Sequence, residues 1–311
     1  MSKKRFVIKR ILQIIPMLFI ASILAFGLSH ASRGEVANSV IRSRGMQPTP
    51  ETIEAVREEL GLDKPVHIQY FSWLKDAVRL DFGNSFLTDE PVMEEIAQRF
   101  PNTLLLAVVT TAFSIIFGIF FAILSVKYKG RPPDHIIRVV STAGASIPDF
   151  VLAFLFLFIF AINLKFFPVI SGSLPQNVIL PALTLSIPLS AIYTRLIRND
   201  LIDIMDSDYI KTARAKGLSE NQAMIRHGLK NAVLPSVTLI GSNLGFLLAG
   251  SFTIESILSW NGIGKFVFDS VKAKDLPVIQ AFIIIVSATF ILLNLIIDII
   301  YIYLDPKIKL T

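Results

Sequence analysis

The chain has 311 residues, of which 53% are hydrophobic and only 17% are charged, with a net charge of +6 and no cysteine. Soluble domains carry about 25% charged residues, and the shortage arises from long apolar runs, so the composition indicates a membrane protein and argues against soluble domains. The basic residues flank these runs instead of forming one stripe, which argues against nucleic-acid binding, and the lack of cysteine excludes a disulfide framework and a thiolate metal site.

Six apolar segments can each cross a hydrocarbon layer of about 30 Å as a helix. In chain order they are Ile11–Ser29, Thr103–Val126, Ala145–Asn163, Val178–Ile197, Ala232–Ile254 and Leu276–Leu304. We therefore predict an all-α, polytopic membrane protein with six transmembrane helices. Its parts are a tail and first helix at 1–30, an extracytoplasmic helical loop at 31–102, and a membrane core at 103–311 with a cytoplasmic loop at 198–231.

The first apolar segment could be a signal peptide, since basic residues precede it and small residues follow it. The run from Ile11 to Leu28 is long for a signal sequence, and five further segments follow, which favours a retained helix. Basic residues also predict the orientation, because the N-terminal tail, the loop after the second segment and the C-terminal tail are all rich in lysine or arginine. The loop Leu164–Asn177 on the other side carries only Lys165, so both termini are expected in the cytoplasm.

The outer loop reads as three short helices. The first begins near Thr49 and Pro50, the second covers Pro65–Leu80, and the third covers Pro91–Phe100 and leads to Pro101. Two interpretations stay open at this point: a small cap that packs on the membrane domain, and a docking surface for an external partner.

The inner loop predicts two helices joined by a sharp turn. Ser207 can cap a helix over Asp208–Lys216, and Gly217 can adopt the left-handed conformation that ends it. Ser219 and Gln222 then fit a capping box that begins the next helix. A slim helix with a fixed turn suits insertion into a groove of another protein, although a surface hairpin without a partner has the same pattern.

These loops resemble a known family, the binding-protein-dependent ABC permeases, and within it the dipeptide/oligopeptide/nickel branch, which also carries metallophores. Its cytoplasmic coupling motif resembles Thr212–Leu218, followed by Arg226–Asn231. The branch also has outer and C-terminal motifs like those found here, at Tyr70, Trp73, Asp81–Gly83, Glu255, Trp260–Gly264, Asp275 and Asp305–Lys309. The chain departs from the branch at Asn261, where the branch usually has proline.

The resemblance implies a fold of the ABC importer permease type in a bacterial cell membrane, and it implies a set of partners. They are a second homologous permease subunit, two P-loop ATPase subunits and an extracellular solute-binding protein. The cargo would be a di- or oligopeptide, nickel or a metal–metallophore complex. The residues that it assigns to ATPase coupling are Tyr209, Thr212, Ala213, Arg214, Ala215, Lys216, Gly217, Leu218 and His227. The residues that it suggests for binding-protein docking are Tyr70, Trp73, Asp81 and Trp260.

No catalytic residue or cofactor is predicted. The chain lacks a G-x-x-x-x-G-K-[ST] motif, since its only Gly-Lys pair, Gly264-Lys265, is followed by Phe266, so ATP hydrolysis would belong to a partner. The four histidines form no close pair, which argues against a permanent metal site. A self-sufficient secondary transporter and a polytopic membrane enzyme are the alternatives. A secondary transporter would usually show inverted repeats and broken helices and would not need the inner hairpin, and a membrane enzyme would need paired catalytic groups, which are missing.

Polar residues within the apolar segments are candidates for the solute pathway. Ser242 and Asn243 lie in the fifth segment beside the pair Gly241-x-x-x-Gly245, whose small residues also suit plain helix packing. Asn294 and Asp298 lie one turn apart in the sixth segment, where a charge should face protein or water. For Asp298 a structural role is the alternative to a substrate contact.

Overall fold

The structure is a computed structural model that describes residues 3–31, 37–38, 40–41, 45–59, 61, 63–172 and 175–304. We number its helices α1 to α13 in chain order. Their bounds are Lys3–Ala31, Pro50–Glu59, Val66–Val78, Val92–Lys127, Pro132–Ser146, Asp149–Phe156, Ile179–Met205, Asp208–Ala215, Glu220–Ala223, Leu229–Gly250, Phe252–Ile257, Ile263–Ala273 and Leu276–Leu304. A π-helical stretch, Leu157–Asn163, extends α6, a second, Met224–Gly228, joins α9 to α10, and a short 3₁₀ turn, Pro175–Val178, precedes α7.

Four helical stretches of the described chain are long and apolar enough to cross a membrane. They are Val92–Lys127, Pro175–Met205, Glu220–Gly250 and Leu276–Ile299. Helix α5 and the stretch Asp149–Asn163 are bent by 103° relative to each other, so this pair forms either a fifth, broken span or a re-entrant loop. The predicted first crossing lies in α1, whose described apolar stretch, Leu12–Leu28, is shorter than these four.

Two details of the predicted helices are wrong. The predicted third outer helix is not separate, because α4 runs without a break from Val92 through Pro101 to Lys127. Proline costs one backbone hydrogen bond but keeps a helical φ, so a helix of 36 residues can contain it. The sequence predicts a loop after Lys127, yet the structure has helix α5 at Pro132–Ser146. The charged Arg138 in the middle of this helix interrupts its apolar run, so hydropathy alone does not indicate a helix there.

Small residues allow the membrane helices to approach each other closely. A Cβ atom on Gly118 of α4 would lie 2.7 Å from the Cβ of Tyr193 in α7. A Cβ on Gly241 or Gly245 of α10 would lie within 2.4 Å of Ile297 or Phe290 in α13. The Gly241-x-x-x-Gly245 pair therefore serves helix packing within this chain, which was one of its two interpretations.

The outer helices rest on the membrane helices at several points. Helix α3 lies against α1, where the hydroxyl of Tyr70 lies 2.8 Å from that of Ser22. The loop between α3 and α4 is tied to the start of α13, because the Ser85 hydroxyl donates to the Asp275 carboxylate at 2.6 Å. The outer loop thus packs on the membrane domain through specific polar contacts.

Candidate functional site

The inner turn forms a rigid helical hairpin. Helix α8 ends in two hydrogen bonds, from the Gly217 N–H to the Arg214 carbonyl at 2.9 Å and from the Leu218 N–H to the Ala213 carbonyl at 3.4 Å. This pair of bonds is a Schellman motif, and it requires a left-handed residue at Gly217, whose φ is 92°. The predicted role of Gly217 as the residue that stops the helix is confirmed.

The helix that follows begins with the predicted capping box. The Gln222 N–H donates to the Ser219 hydroxyl at 3.3 Å, and the Ser219 N–H donates to the Gln222 side-chain oxygen at 3.1 Å. The predicted cap at Ser207 is wrong in its detail. The Ser207 hydroxyl donates back to the Ile204 carbonyl at 2.6 Å, so it secures the end of α7 and forms no cap bond with α8.

The hairpin is attached directly to two membrane spans. Helix α7 runs to Met205, only a few residues before α8, and the stretch Glu220–Gly250 continues from the capping box into the next span. The Asn231 amide also donates to the hydroxyl of Tyr209 at 3.1 Å and so ties α8 to α10. A displacement of α8 would therefore be transmitted to both spans.

The residues predicted to contact an ATPase do not all face outward. Ala213 lies with Ile210 on the inner face of α8, where both side chains are buried by this chain. Leu218 is half-buried. The exposed members of the predicted set are Tyr209, Thr212, Arg214, Ala215, Lys216, Gly217 and His227. The exposed face of α8 is therefore slim and basic, and Ala213 lies on its buried face.

A buried ion pair lies about two helical turns before the end of α7. Arg198 of α7 pairs with Asp134 at the start of α5, and Ser125 near the end of α4 donates to the same carboxylate at 2.5 Å. The Gly130 N–H, in the loop between α4 and α5, is a further donor at 3.0 Å. We call these four residues the inner brace. It joins the three helices α4, α5 and α7.

The predicted pathway residues have different partners in the structure, and Asn294 and Asp298 line one cavity. Asn243 donates to the hydroxyl of Tyr193 at 3.0 Å, which links α10 to α7, while Ser242 is exposed and its hydroxyl donates to the Thr238 carbonyl. Asp298 pairs with Arg10 of α1 at 3.0 Å, and Asn294 lines a cavity of about 230 Å³ beside this pair. Asp298 therefore has the structural partner that was one of its two interpretations.

The predicted docking residues also lie in different surroundings. Tyr70 and Trp73 of α3 pack against Phe26 of α1, with ring centroids 5.4 and 5.9 Å from it. Asp81 is exposed and accepts a bond from the Gly83 N–H. Trp260 is 0% exposed and donates to the Asn102 carbonyl, so it leaves no surface for an external partner, and we remove it from the docking set.

A buried carboxylate just after the end of α10 was not predicted as a site. Glu255, in the connector between α10 and α13, is 0% exposed. It accepts bonds from the hydroxyls of Thr103 and Ser251 and from the Lys265 N–H, at 2.8, 2.9 and 3.0 Å. Burial raises the pKa of Glu255 above its ordinary value, and the hydrogen bonds oppose that rise only in part.

Two glycines make room for this carboxylate. A Cβ on Gly262 would lie 2.4 Å from a Glu255 oxygen, and a Cβ on Gly264 would lie 2.9 Å from the same oxygen. We call Glu255 and its donors the outer brace, since it fixes α11 and α12 to the outer part of α4. Among the described residues, no group of three or more His, Asp or Glu side chains is placed to hold a metal ion.

Comparisons with known proteins agree with this architecture. Residues 114–310 match the family model of the binding-protein-dependent transport system inner membrane component, and residues 3–107 match the model of its N-terminal part. The chain is 39% identical to the glutathione transport system permease protein GsiC of Escherichia coli K12 over 304 residues, which is 98% of each chain. The same protein of Shigella dysenteriae shows equal identity and coverage.

The fold has a counterpart among solved structures. A structure of the MetNI methionine ABC transporter in inward-facing conformations matches 70% of this chain and 99% of its own, with a TM-score of 0.59 and 17% identity. The family match and the similarity to GsiC show a multi-pass inner-membrane component of an ABC importer, a non-catalytic subunit that implies ATPase and substrate-binding partners. The chain belongs to the family of binding-protein-dependent transport system inner membrane components and is the permease component of an ABC importer.

Proposed function

We propose that this chain is one of two homologous permease subunits that pass a small peptide, of the size class of glutathione, into the cell. Helix α8 would insert into a groove of a partner ATPase, and closure of two ATPase subunits would move α7 and α10 together. The observation that carries this proposal is the attachment of α8 to both spans, through the end of α7 and through the Asn231–Tyr209 hydrogen bond.

The cargo proposal rests on the chain's relatives. GsiC is named for glutathione transport, and its similarity to this chain covers almost the full length of both. The described residues offer no metal-binding group of three or more His, Asp or Glu side chains, but a metal complex would be bound chiefly by the external binding protein. Nickel and metal–metallophore complexes are therefore the competing outcomes of the cargo test.

The proposed orientation places both termini and α8 in the cytoplasm and the region 31–102 outside. The excess of lysine and arginine in the tails and in the loop after α4 supports it. Outside, the exposed Asp81 and the partly exposed Tyr70 and Trp73 remain candidates for contact with the binding protein. Ser242, which is exposed on α10, remains a candidate for the solute pathway.

The cargo is tested with the complete importer in proteoliposomes. The solute-binding protein is added outside the vesicles and ATP is enclosed inside. The uptake of labelled glutathione, of a second labelled tripeptide and of Ni²⁺ is measured separately. We expect ATP-dependent uptake of glutathione that the unlabelled tripeptide reduces. Uptake of Ni²⁺ alone would contradict the proposed cargo and would leave the permease assignment intact.

The orientation has an independent test because the chain has no cysteine. Single variants Lys216→Cys and Asp81→Cys place one thiol at exposed positions of α8 and of the outer loop. In intact spheroplasts, a membrane-impermeant maleimide should label the Asp81→Cys variant and should spare the Lys216→Cys variant until the membrane is opened. The reverse pattern would contradict the orientation.

A further inference from the structure

An open groove lies between α5 and α7 on the surface of the described chain, next to the inner brace. Its volume is about 720 Å³, which is enough for a polar headgroup together with its water. Its lining residues are Arg138, Val139, Thr142, Ala143, Arg195, Arg198 and Asn199. The groove therefore combines three guanidinium groups with a hydroxyl, an amide and a small apolar wall.

The charge of this groove is not balanced. Arg198 is already neutralised by Asp134 in the inner brace. The Nη2 atom of Arg138 lies 3.2 Å from the Nδ1 atom of His135, and Arg195 is exposed. In the part of the chain that the structure describes, neither arginine forms an ion pair with a carboxylate. Two positive charges thus face an open groove, and a charge within a membrane span requires a polar or anionic neighbour.

The position of the groove limits what this neighbour can be. Arg195 and Arg198 lie in the last turns of α7 before Met205, and Arg198 bonds to Ser125, just before the end of α4 at Lys127. In the proposed orientation, on which this step rests, these helix ends lie at the cytoplasmic surface of the membrane. Lipid phosphates lie at that depth, and basic pockets between transmembrane helices bind anionic headgroups there.

The apolar part of the groove favours an amphipathic ligand over a water-soluble one. Val139 and Ala143 line it, and the exposed Ile136 and Val140 continue the apolar surface of α5 beside it. An ion or a free solute would gain no binding free energy from this apolar surface, whereas an acyl chain would bury it. We propose that the groove binds the phosphate headgroup of an anionic phospholipid of the cytoplasmic leaflet, with Arg138 and Arg195 as the residues that bind the phosphate.

The test compares lipid binding to purified importer complexes by native mass spectrometry in detergent. Phosphatidylglycerol is the probe, and phosphatidylethanolamine is the zwitterionic comparison lipid. The variant is the double substitution Arg138→Gln and Arg195→Gln, which spares the inner brace. A basic residue near a membrane surface contributes roughly fivefold to the binding of an anionic lipid, so the double variant should bind phosphatidylglycerol about 25-fold more weakly.

The control is the double variant Lys127→Gln and Lys129→Gln. It removes the same charge from two exposed positions at the same end of the protein, outside the groove. We expect this control to keep the phosphatidylglycerol affinity of the original chain, and we expect both variants to bind phosphatidylethanolamine equally. Equal loss in both variants, or no loss in the arginine variant, would overturn the proposal.

A further arm separates a headgroup site from a simple anion site. Glycerol 3-phosphate carries the phosphate without acyl chains and should not displace phosphatidylglycerol at equal concentration. Displacement would show that the groove binds free phosphates and would overturn the lipid assignment. None of these measurements involves uptake, so their failure would leave the proposed cargo and the proposed coupling untouched.

Discussion

Arg198 holds Asp134 through two parallel hydrogen bonds, from Nε to Oδ1 at 3.0 Å and from Nη2 to Oδ2 at 2.9 Å. The side chains are 13% and 2% exposed, so the pair is shielded from water. A two-pronged contact fixes the angle between its partners as well as their distance. The inner brace therefore sets how α5 lies on α7 two helical turns before the end of α7.

Breaking this pair should destabilise the subunit. Asp134→Asn leaves the Arg198 charge buried without a counter-charge, and the loss of one partner from a buried pair costs about 3 kcal/mol or more. We expect a clear fall in the unfolding temperature of the purified subunit. The control is Asp208→Asn, which breaks an exposed pair with Lys211 and should leave that temperature unchanged. Equal effects of the two variants would contradict a structural role for the inner brace.

The close packing of α10 on α13 predicts that an added methyl group there costs more stability than one at an open position. Gly245→Ala would place a Cβ 2.4 Å from the Phe290 ring, and overpacking of this kind costs about 1–3 kcal/mol. Gly27→Ala in α1 meets no atom within 4 Å and should be neutral or stabilising, because alanine favours helices. Thermal unfolding of both variants in detergent checks this. A stable Gly245→Ala variant would contradict the contact between α10 and α13.

The outer brace predicts a dependence of stability on pH. Burial raises the pKa of Glu255 in the folded state above its ordinary value of 4.5, so folding favours the protonated carboxyl group. The stability that this group contributes is therefore complete below pH 4.5 and is lost as the pH rises through the folded-state pKa.

The variant Glu255→Gln removes this titration. It should be less stable by about 1–3 kcal/mol at low pH, because an amide cannot accept all the bonds that the carboxyl group accepts. The difference in unfolding temperature between the original chain and the variant should shrink as the pH increases from 4.5 to 8, a range that begins at the ordinary pKa. A difference that grows with pH would contradict the raised pKa.

Local signals in the sequence were enough to predict the helical hairpin formed by α8 and α9. Gly217 ends a helix because of its own backbone freedom, and Ser219 and Gln222 lie three residues apart in the chain, so both features depend on neighbours alone. The long apolar runs likewise predicted an all-α membrane protein. The motif that resembles the family lies in this same hairpin.

Long-range contacts were outside the reach of these signals. Glu255 is 152 residues from Thr103, and Arg198 is 64 residues from Asp134, so no pattern along the chain pairs them. The same holds for Trp260, whose place in a motif suggested an outer surface, although its indole is buried against Asn102. Pro101 also misled the prediction, because a proline inside a long helix looks like a boundary.

In the proposed function α8 receives force from an ATPase, and the substitution Gly217→Val tests this coupling role. Valine in a left-handed conformation costs about 1–2 kcal/mol, and nothing lies within 4 Å of a Cβ at Gly217, so the strain falls on the turn that ends α8. Gly45→Val is the matched control, since Gly45 also has a positive φ and open space but lies before α2, in neither brace and far along the chain from α8.

The measurement is the number of solute molecules taken up per ATP hydrolysed by the complete importer in proteoliposomes. Insertion of each variant is confirmed first by its amount in the membrane. We predict that Gly217→Val lowers this ratio at least tenfold while ATP hydrolysis continues, and that Gly45→Val keeps it near the value of the original chain. An unchanged ratio in a fully inserted Gly217→Val importer would contradict the coupling role of α8.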